Sequence, residues 1–271
     1  MKTLLPALAV LALLPTATRA QSQALGSVAI NWDQCYGDGP VYNKVFACNT
    51  NTGFDEFVIS ATPPADIPAL VAISVVVDLA ASNANLAPWW NLDPASGTST
   101  GCRAGPPSAF SVFFTPTGST SSCVDPWQGQ ASGGSNYVSQ QFGVPNLARL
   151  RMVCAVVAPV AVFANHELFL ARVRISHTKT VGTGACAGCA DPMCMMLNSV
   201  ELDQQPGMPG GNSFLILPNP GTDSDLLTWQ TGASAHRVIE CQPPHCEKDL
   251  TCPAVTSTSR STWGAIKSMY R

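Results

Sequence analysis

Charge is scarce in this chain of 271 residues: Asp, Glu, Lys and Arg together make up 11%, against about a quarter in ordinary soluble domains. With 14 Lys and Arg against 17 Asp and Glu there is no basic face to collect phosphates, so nucleic acid is not an expected partner. Aromatic residues are also few, at 7%. No apolar run reaches the roughly 20 residues that a membrane-spanning helix needs, and helical periodicity is rare. Walker and dinucleotide-binding patterns are absent, and G-T-S-T-G at 97–101, which matches the letters of G-x-S-x-G, reads as a surface loop and not as the strand–turn–helix of a nucleophile elbow. The four histidines, His166, His177, His236 and His245, fall in none of the short metal-binding spacings. These absences select no catalytic residue, no metal site and no cofactor.

The first twenty residues have a definite layout. Lys2 precedes an apolar run from Leu4 to Leu14, and small residues follow, with Thr18 and Ala20 before the expected cut. That is the pattern of a secretory signal peptide. Its removal takes away Lys2 and Arg19, leaving 14 − 2 = 12 basic residues against 17 acidic ones, a formal charge of −5. The expected protein is secreted, periplasmic or on the cell surface, with no transmembrane anchor after cleavage.

Apolar residues recur with a period of two in several segments. Val71, Ile73, Val75, Val77 and Leu79 share one face, while Ala72, Ser74, Val76 and Asp78 take the other. This is the clearest strand in the chain. Segments 109–114, 149–156 and 168–175 alternate likewise, with Phe169, Ala171, Val173 and Ile175 expected on one face. Shorter strands are expected at 27–32, 56–61, 196–202, 214–217 and 226–229. Between them lie turn-rich stretches such as G-D-G-P, N-P-G-T-D and A-S-G-G-S-N. Many strands with polar turns and few helices predict an all-β fold: an antiparallel β-sandwich of jelly-roll type, stapled by disulfides. One domain over residues 21–252 is expected, with a boundary near residue 180 as the alternative. Residues 253–271 form a basic tail in which Thr262 is placed to cap a short helix.

Eleven cysteines, an odd number, require at least one unpaired thiol or a bond between molecules. Disulfide candidates are Cys35, Cys48, Cys102, Cys123, Cys186, Cys189, Cys194, Cys241, Cys246 and Cys252. Cys154 lies on the apolar phase of its strand and is the candidate free thiol. Spacing favours a Cys35–Cys48 loop and a Cys102–Cys123 bracket around the strand near residue 110. The dense run G-A-C-A-G-C-A-D-P-M-C, residues 184–194, invites a chemical reading. Haem attachment needs His directly after the second cysteine, where Ala190 stands. A thioredoxin-type pair belongs at a helix start, and the spacing of the later cysteines does not supply the tight second pair of a zinc ribbon. A compact disulfide knot before a strand is the remaining reading.

Asn49, Asn51 and Asp55 in N-T-N-T-G-F-D place oxygen donors at the spacing of a weak calcium loop, but with so few carboxylates a turn held by Asx side chains is the favoured use. Trp89 and Trp90 follow the best strand in A-P-W-W-N-L-D-P. One ring on the core and the other turned outward, beside Asp93, would make a platform for a sugar. Burial of both in the core is the favoured reading, because Trp is mostly buried, and the platform is the alternative.

W-D-Q-C, N-K-V-F-A-C-N-T-N-T-G, C-A-G-C-A-D-P-M-C-M-M-L-N-S-V, T-W-Q-T-G and the closing T-W-G-A-I-K-S-M-Y-R together resemble a group of uncharacterised exported bacterial proteins. The resemblance implies export and a cysteine-stapled β-rich fold, and no activity. The expected function is that of a non-enzymatic exported structural or binding protein. A carbohydrate-binding or carbohydrate-active module using Trp89, Trp90 and Asp93, with a cell-surface or glycan partner, is the alternative.

Overall fold

A computed structural model of the protein describes residues 27–92, 101–103, 109–116, 122–140, 143–208, 213–216 and 223–230, the backbone alone at 213–216. Residues 1–20, expected to be a signal peptide, and Asp93, Cys241, Cys246, Cys252 and the basic tail lie outside the described residues.

Among the described residues eleven strands carry the fold: β1 (Ser27–Trp32), β2 (Asn43–Lys44), β3 (Phe54–Thr62), β4 (Ile67–Ala81), β5 (Phe110–Phe113), β6 (Ser132–Ser139), β7 (Leu147–Val162), β8 (Leu168–Ser176), β9 (Met193–Gln204), β10 (Ser213–Ile216) and β11 (Leu226–Trp229). A smaller sheet has the order β1-β3-β8-β5, and a larger one β2-β11-β9-β4-β7-β6, with β10 also on β9. All pairings between these strands are antiparallel except β11 with β2. Ile30, Phe57, Ile59 and Val173 from the smaller sheet share one buried cluster with Ile73, Val75, Val77, Met152 and Leu202 from the larger. The two sheets therefore pack face to face as a sandwich.

Alternation explains most of this core. In β4, Ile73, Val75, Val77 and Leu79 are buried, and Val75 faces Met152 on one side and Val200 on the other. Each such side chain taken from water contributes about 1.5–3 kcal/mol. β8 departs from strict alternation. The register jumps between Ile59 opposite Ala171 and Ser60 opposite Phe169, so Leu170 is the extra residue of a bulge. Leu168, Leu170, Ala171, Val173 and Ile175 then reach the main core, while Phe169 joins Cys35, Val58 and Cys123 in a separate cluster. The expected common face for Phe169 and Ala171 is thus corrected: the bulge moves Phe169 to the opposite side.

β6 is a second correction, because A-S-G-G-S-N is strand here and not turn. Gly133 lies against β7 so closely that a Cβ would collide with the carbonyl of Val153 and the backbone of Cys154. A polar edge strand pressed on its neighbour has no apolar periodicity to announce it.

The chain passes repeatedly between sheets: β1, β3, β5 and β8 are in the smaller one, and β2, β4, β6, β7 and β9 in the larger. All three disulfides whose partners are both described join these crossing connections. Cys35 pairs with Cys123, Cys48 with Cys189 and Cys102 with Cys186. The Cys35–Cys48 and Cys102–Cys123 pairings favoured by spacing are corrected. The connections meet at the ends of the sandwich, where residues 84 to 141 apart in sequence have Cα atoms about 6 Å apart.

Candidate functional site

The C-A-G-C run sits on a tryptophan cluster. Trp89 stacks on Trp229 at 5.4 Å between centroids, Trp90 meets both rings edge-on, and Trp32 and Phe46 pack on Trp229. The indole N–H of Trp229 donates to the Cys189 carbonyl at 2.8 Å, and the Trp89 backbone N–H donates to the Ala187 carbonyl at 2.9 Å. Cys186 and Cys189 then bind this loop to the connections holding Cys102 and Cys48. Gly188 allows the close approach, since its φ is +98° and Ala87 occupies the space a Cβ would need. Trp89 and Trp90 are both 0% exposed. Burial of both rings, the favoured reading, is found, and the outward-facing ring of the sugar-platform alternative is not: both rings fill the core beneath the disulfides.

Arg103 follows Cys102 and lies over Trp89, its guanidinium carbon 3.8 Å from the ring centre. It donates to the Trp89 carbonyl at 3.1 Å and to the carbonyls of Ala109 and Ser176. Burial pulls its pKa down to about 10, and the Tyr137 hydroxyl acts in the other direction. It stays charged at neutral pH and ties three segments together.

The other polar groups in this region are likewise committed. His177 has Nε2 2.8 Å from Asp55 Oδ2 and Nδ1 3.0 Å from the Thr52 carbonyl, with Phe46 stacked on its ring. Lys44 bridges Asp33 at 2.7 Å and Asp55 at 3.3 Å. Burial opposes the Lys44 charge, but the hydrogen bond to Asp33 and the charges of Asp33 and Asp55 outweigh it and raise the pKa. Asn51 accepts from the N–H groups of Thr180 and Val181 and donates to the Val181 carbonyl. Asn51 and Asp55 thus serve different partners, as the favoured Asx-held turn requires and a calcium loop does not. Among the described residues no group of three or more His, Cys, Asp or Glu is placed to hold a metal ion.

Glu167 does similar work near Cys35 and Cys123. It accepts from the N–H groups of Tyr36 and Gly37, each at 2.9 Å, and from the hydroxyl of Ser60 at 2.6 Å. Nothing in the sequence pattern marks Glu167, because its three partners come from distant segments. Cys154 forms no disulfide and is buried in the core. Burial pushes its thiol up to about 12, so it is a poor nucleophile.

The least satisfied surface lies elsewhere. β6 ends the larger sheet, and among the described residues no strand pairs with its outer edge. Five successive residues, Ser132 to Asn136, are exposed on both faces, so the strand overhangs the sandwich at this end. No charge or proline interrupts S-G-G-S-N-Y-V-S, although those are the usual devices for blocking a free edge. Beside it, β7 bulges: Leu70 faces Val160 and Ala72 faces Ala155, leaving Val156 to Pro159 opposite Val71 alone. Pro159 brings no N–H to the ladder, which suits an unpaired position. Val157 is fully exposed, and Val153 and Phe163 are 51% and 61% exposed. An open backbone edge thus adjoins an apolar strip, the arrangement that accepts an added strand. Among the described residues no helix is long and apolar enough to cross a membrane.

No protein-family model, curated protein or solved structure matches the chain.

Proposed function

We propose that the chain is an exported, non-enzymatic binding protein of bacterial type that recognises an extended polypeptide segment by adding it to the free edge of β6. The observation that carries this reading is the overhanging, uncharged edge at Ser132–Asn136 next to exposed Val153 and Val157. Unpaired peptide groups supply main-chain hydrogen bonds, and the apolar strip supplies side-chain selectivity. The polar clusters described above support the non-enzymatic part, because His177, Asp55, Arg103 and Glu167 hold segments of the fold together. The secretory pattern of residues 1–20 and three disulfides support export.

The test is selection from a displayed peptide library, followed by titration of the enriched peptides. Ser135→Pro and Asn136→Pro are made singly. Neighbouring strand residues direct their N–H groups to opposite edges, so one of the two removes an outward donor. The expected result is enrichment of extended apolar peptides whose affinity falls roughly tenfold in one of the variants, the loss of about one well-formed hydrogen bond. Enrichment of nothing, or peptides indifferent to both substitutions, would overturn the reading.

A further inference from the structure

The strand-addition reading of β6, on which this inference rests, leaves open which polypeptides fit the edge. Alternation fixes the groups that share the outer face of the larger sheet, the face turned away from the smaller one. Leu150, Met152 and Cys154 of β7 point into the sandwich, so Arg151, Val153 and Ala155 point out. On β6, Ser132 lies opposite Ala155, Gly134 opposite Val153 and Asn136 opposite Arg151. These three therefore stand on the outer face as well, at the open edge.

Val153 is flanked by Gly134 of β6 and Ser74 of β4, neither of which has the bulk to cover it. A Cβ built on Gly134 meets nothing within 4 Å, so a notch is open between Val153 and the edge. A residue opposite Gly134 on an added strand stands two strand spacings, about 10 Å, from Val153. A bulky apolar side chain laid across the glycine reaches that far, and an alanine does not. One notch further along, Arg151 is exposed, and among the described residues it has neither a hydrogen bond nor an ion pair. The acids of this face are engaged or distant. Asp78 accepts from Arg149 and Asn198, while Glu201 and Asp203 stand on β9, beyond β4. Asn136, between Arg151 and the edge, adds amide donors. A carboxylate opposite Asn136 thus meets an amide and an unpaired guanidinium, on an edge strand that carries no charge of its own.

We propose that the segment added to β6 runs antiparallel to it and has the pattern acid-x-apolar: Asp or Glu opposite Asn136 and, two residues later, a bulky apolar residue opposite Gly134. Antiparallel pairing is the more stable kind, and it sets the order, since a parallel segment would present the apolar residue first. The apolar side chain covers Val153 and supplies most of the selectivity. The acid pairs with Arg151 at the surface, where an ion pair contributes less and is screened by salt.

The intact protein is titrated by fluorescence anisotropy with labelled peptides of alternating Thr and Ser that carry Glu-Thr-Phe, Gln-Thr-Phe, Glu-Thr-Ala or Phe-Thr-Glu at the centre. Glu-Thr-Phe is expected to bind tightest, by about tenfold over Glu-Thr-Ala. Its advantage over Gln-Thr-Phe is expected to be about threefold at low salt and to vanish near 1 M salt. In Arg151→Glu the preference for Glu over Gln should disappear or reverse while the preference for Phe stays. Gly134→Thr fills the notch without a clash, because a Cβ there has open space, and should cut the preference for Phe over Ala to about threefold or less. Suppose library peptides bind in the proline-sensitive way set out above. Failure of the four peptides to bind, affinities within about twofold of one another, Phe-Thr-Glu as the best ligand, or an Arg151→Glu protein that still prefers Glu then overturns acid-x-apolar recognition and leaves strand addition standing. If neither the library nor these peptides bind, both fall.

Discussion

Gly188 shows how much one added methyl group can cost. At φ +98° and with Ala87 against it, any Cβ displaces either the C-A-G-C loop or the turn that leads into Trp89 and Trp90. Gly188→Ala is expected to lower the unfolding free energy by at least about 2 kcal/mol in urea titration; a loss under about 0.5 kcal/mol would refute the packing described. Cys154 gives a chemical test. With its pKa pushed up to about 12 by burial, the thiol is expected to resist iodoacetamide in the native protein at pH 8 and to be labelled once the chain is unfolded. Rapid native labelling of the Cys154 peptide would contradict its place in the core. Asp203 tests the outer face. Burial, and then the neighbouring Glu201, raise its pKa above the usual 3.8. The folded state therefore favours the protonated acid, and stability falls as pH rises from the unfolded value through the raised folded one. Asp203→Asn removes that penalty, so its melting temperature should exceed that of the unmodified chain at pH 7 and match it near pH 3. A gain at pH 3 equal to that at pH 7 would show that charge is not the cause.

Elements differ in how plainly the sequence announces them. β4 and β7 are legible because Ile73, Val75 and Val77, and Leu150, Met152 and Cys154, alternate without interruption against one core. β11 is legible as a short apolar run, but its importance is not. Trp229 within it touches Trp32, Phe46, Trp89 and Trp90, and that meeting place exists only after the chain has folded. Trp229→Ala is expected to cost about 3–5 kcal/mol, read from the denaturation midpoint; a cost near that of a surface substitution would show that the cluster is not central. β6 is illegible for the opposite reason. Its partner is the backbone of β7, and neither Gly133 nor Asn136 carries an apolar pattern. The bulge at Leu170 shows a third limit. One extra residue inverts the faces of Phe169 and Leu168, and period-two reasoning has no term for an insertion that only pairing with β3 reveals.

At the scale of the molecule, the dominant feature is a chain that crosses between its sheets again and again. Such pairings are non-local, with 84 to 141 residues between the disulfide partners. By chain entropy each closure of that length destabilises the unfolded state by about 4–5 kcal/mol. Spacing in sequence therefore ranked the wrong partners: nearest cysteines close short loops, whereas this fold needs its distant crossings tied. The dense C-A-G-C run has two such ties, directly above the tryptophans that fill the same end of the sandwich. Its cysteines are architectural. A low-charge chain with such a frame can display an open edge at β6 without relying on that edge for stability.

If the crossing disulfides hold the two sheets together, unfolding with and without reductant will differ. Five of the six tryptophans, Trp32, Trp89, Trp90, Trp127 and Trp229, are buried, so intrinsic fluorescence reports the core. Thiols are counted in the same samples. The oxidised protein should unfold in one cooperative transition, and the fully reduced protein should show no such transition, with its tryptophan emission already solvent-exposed at room temperature. A sample with all eleven thiols titratable that keeps buried emission and the same midpoint would contradict the account.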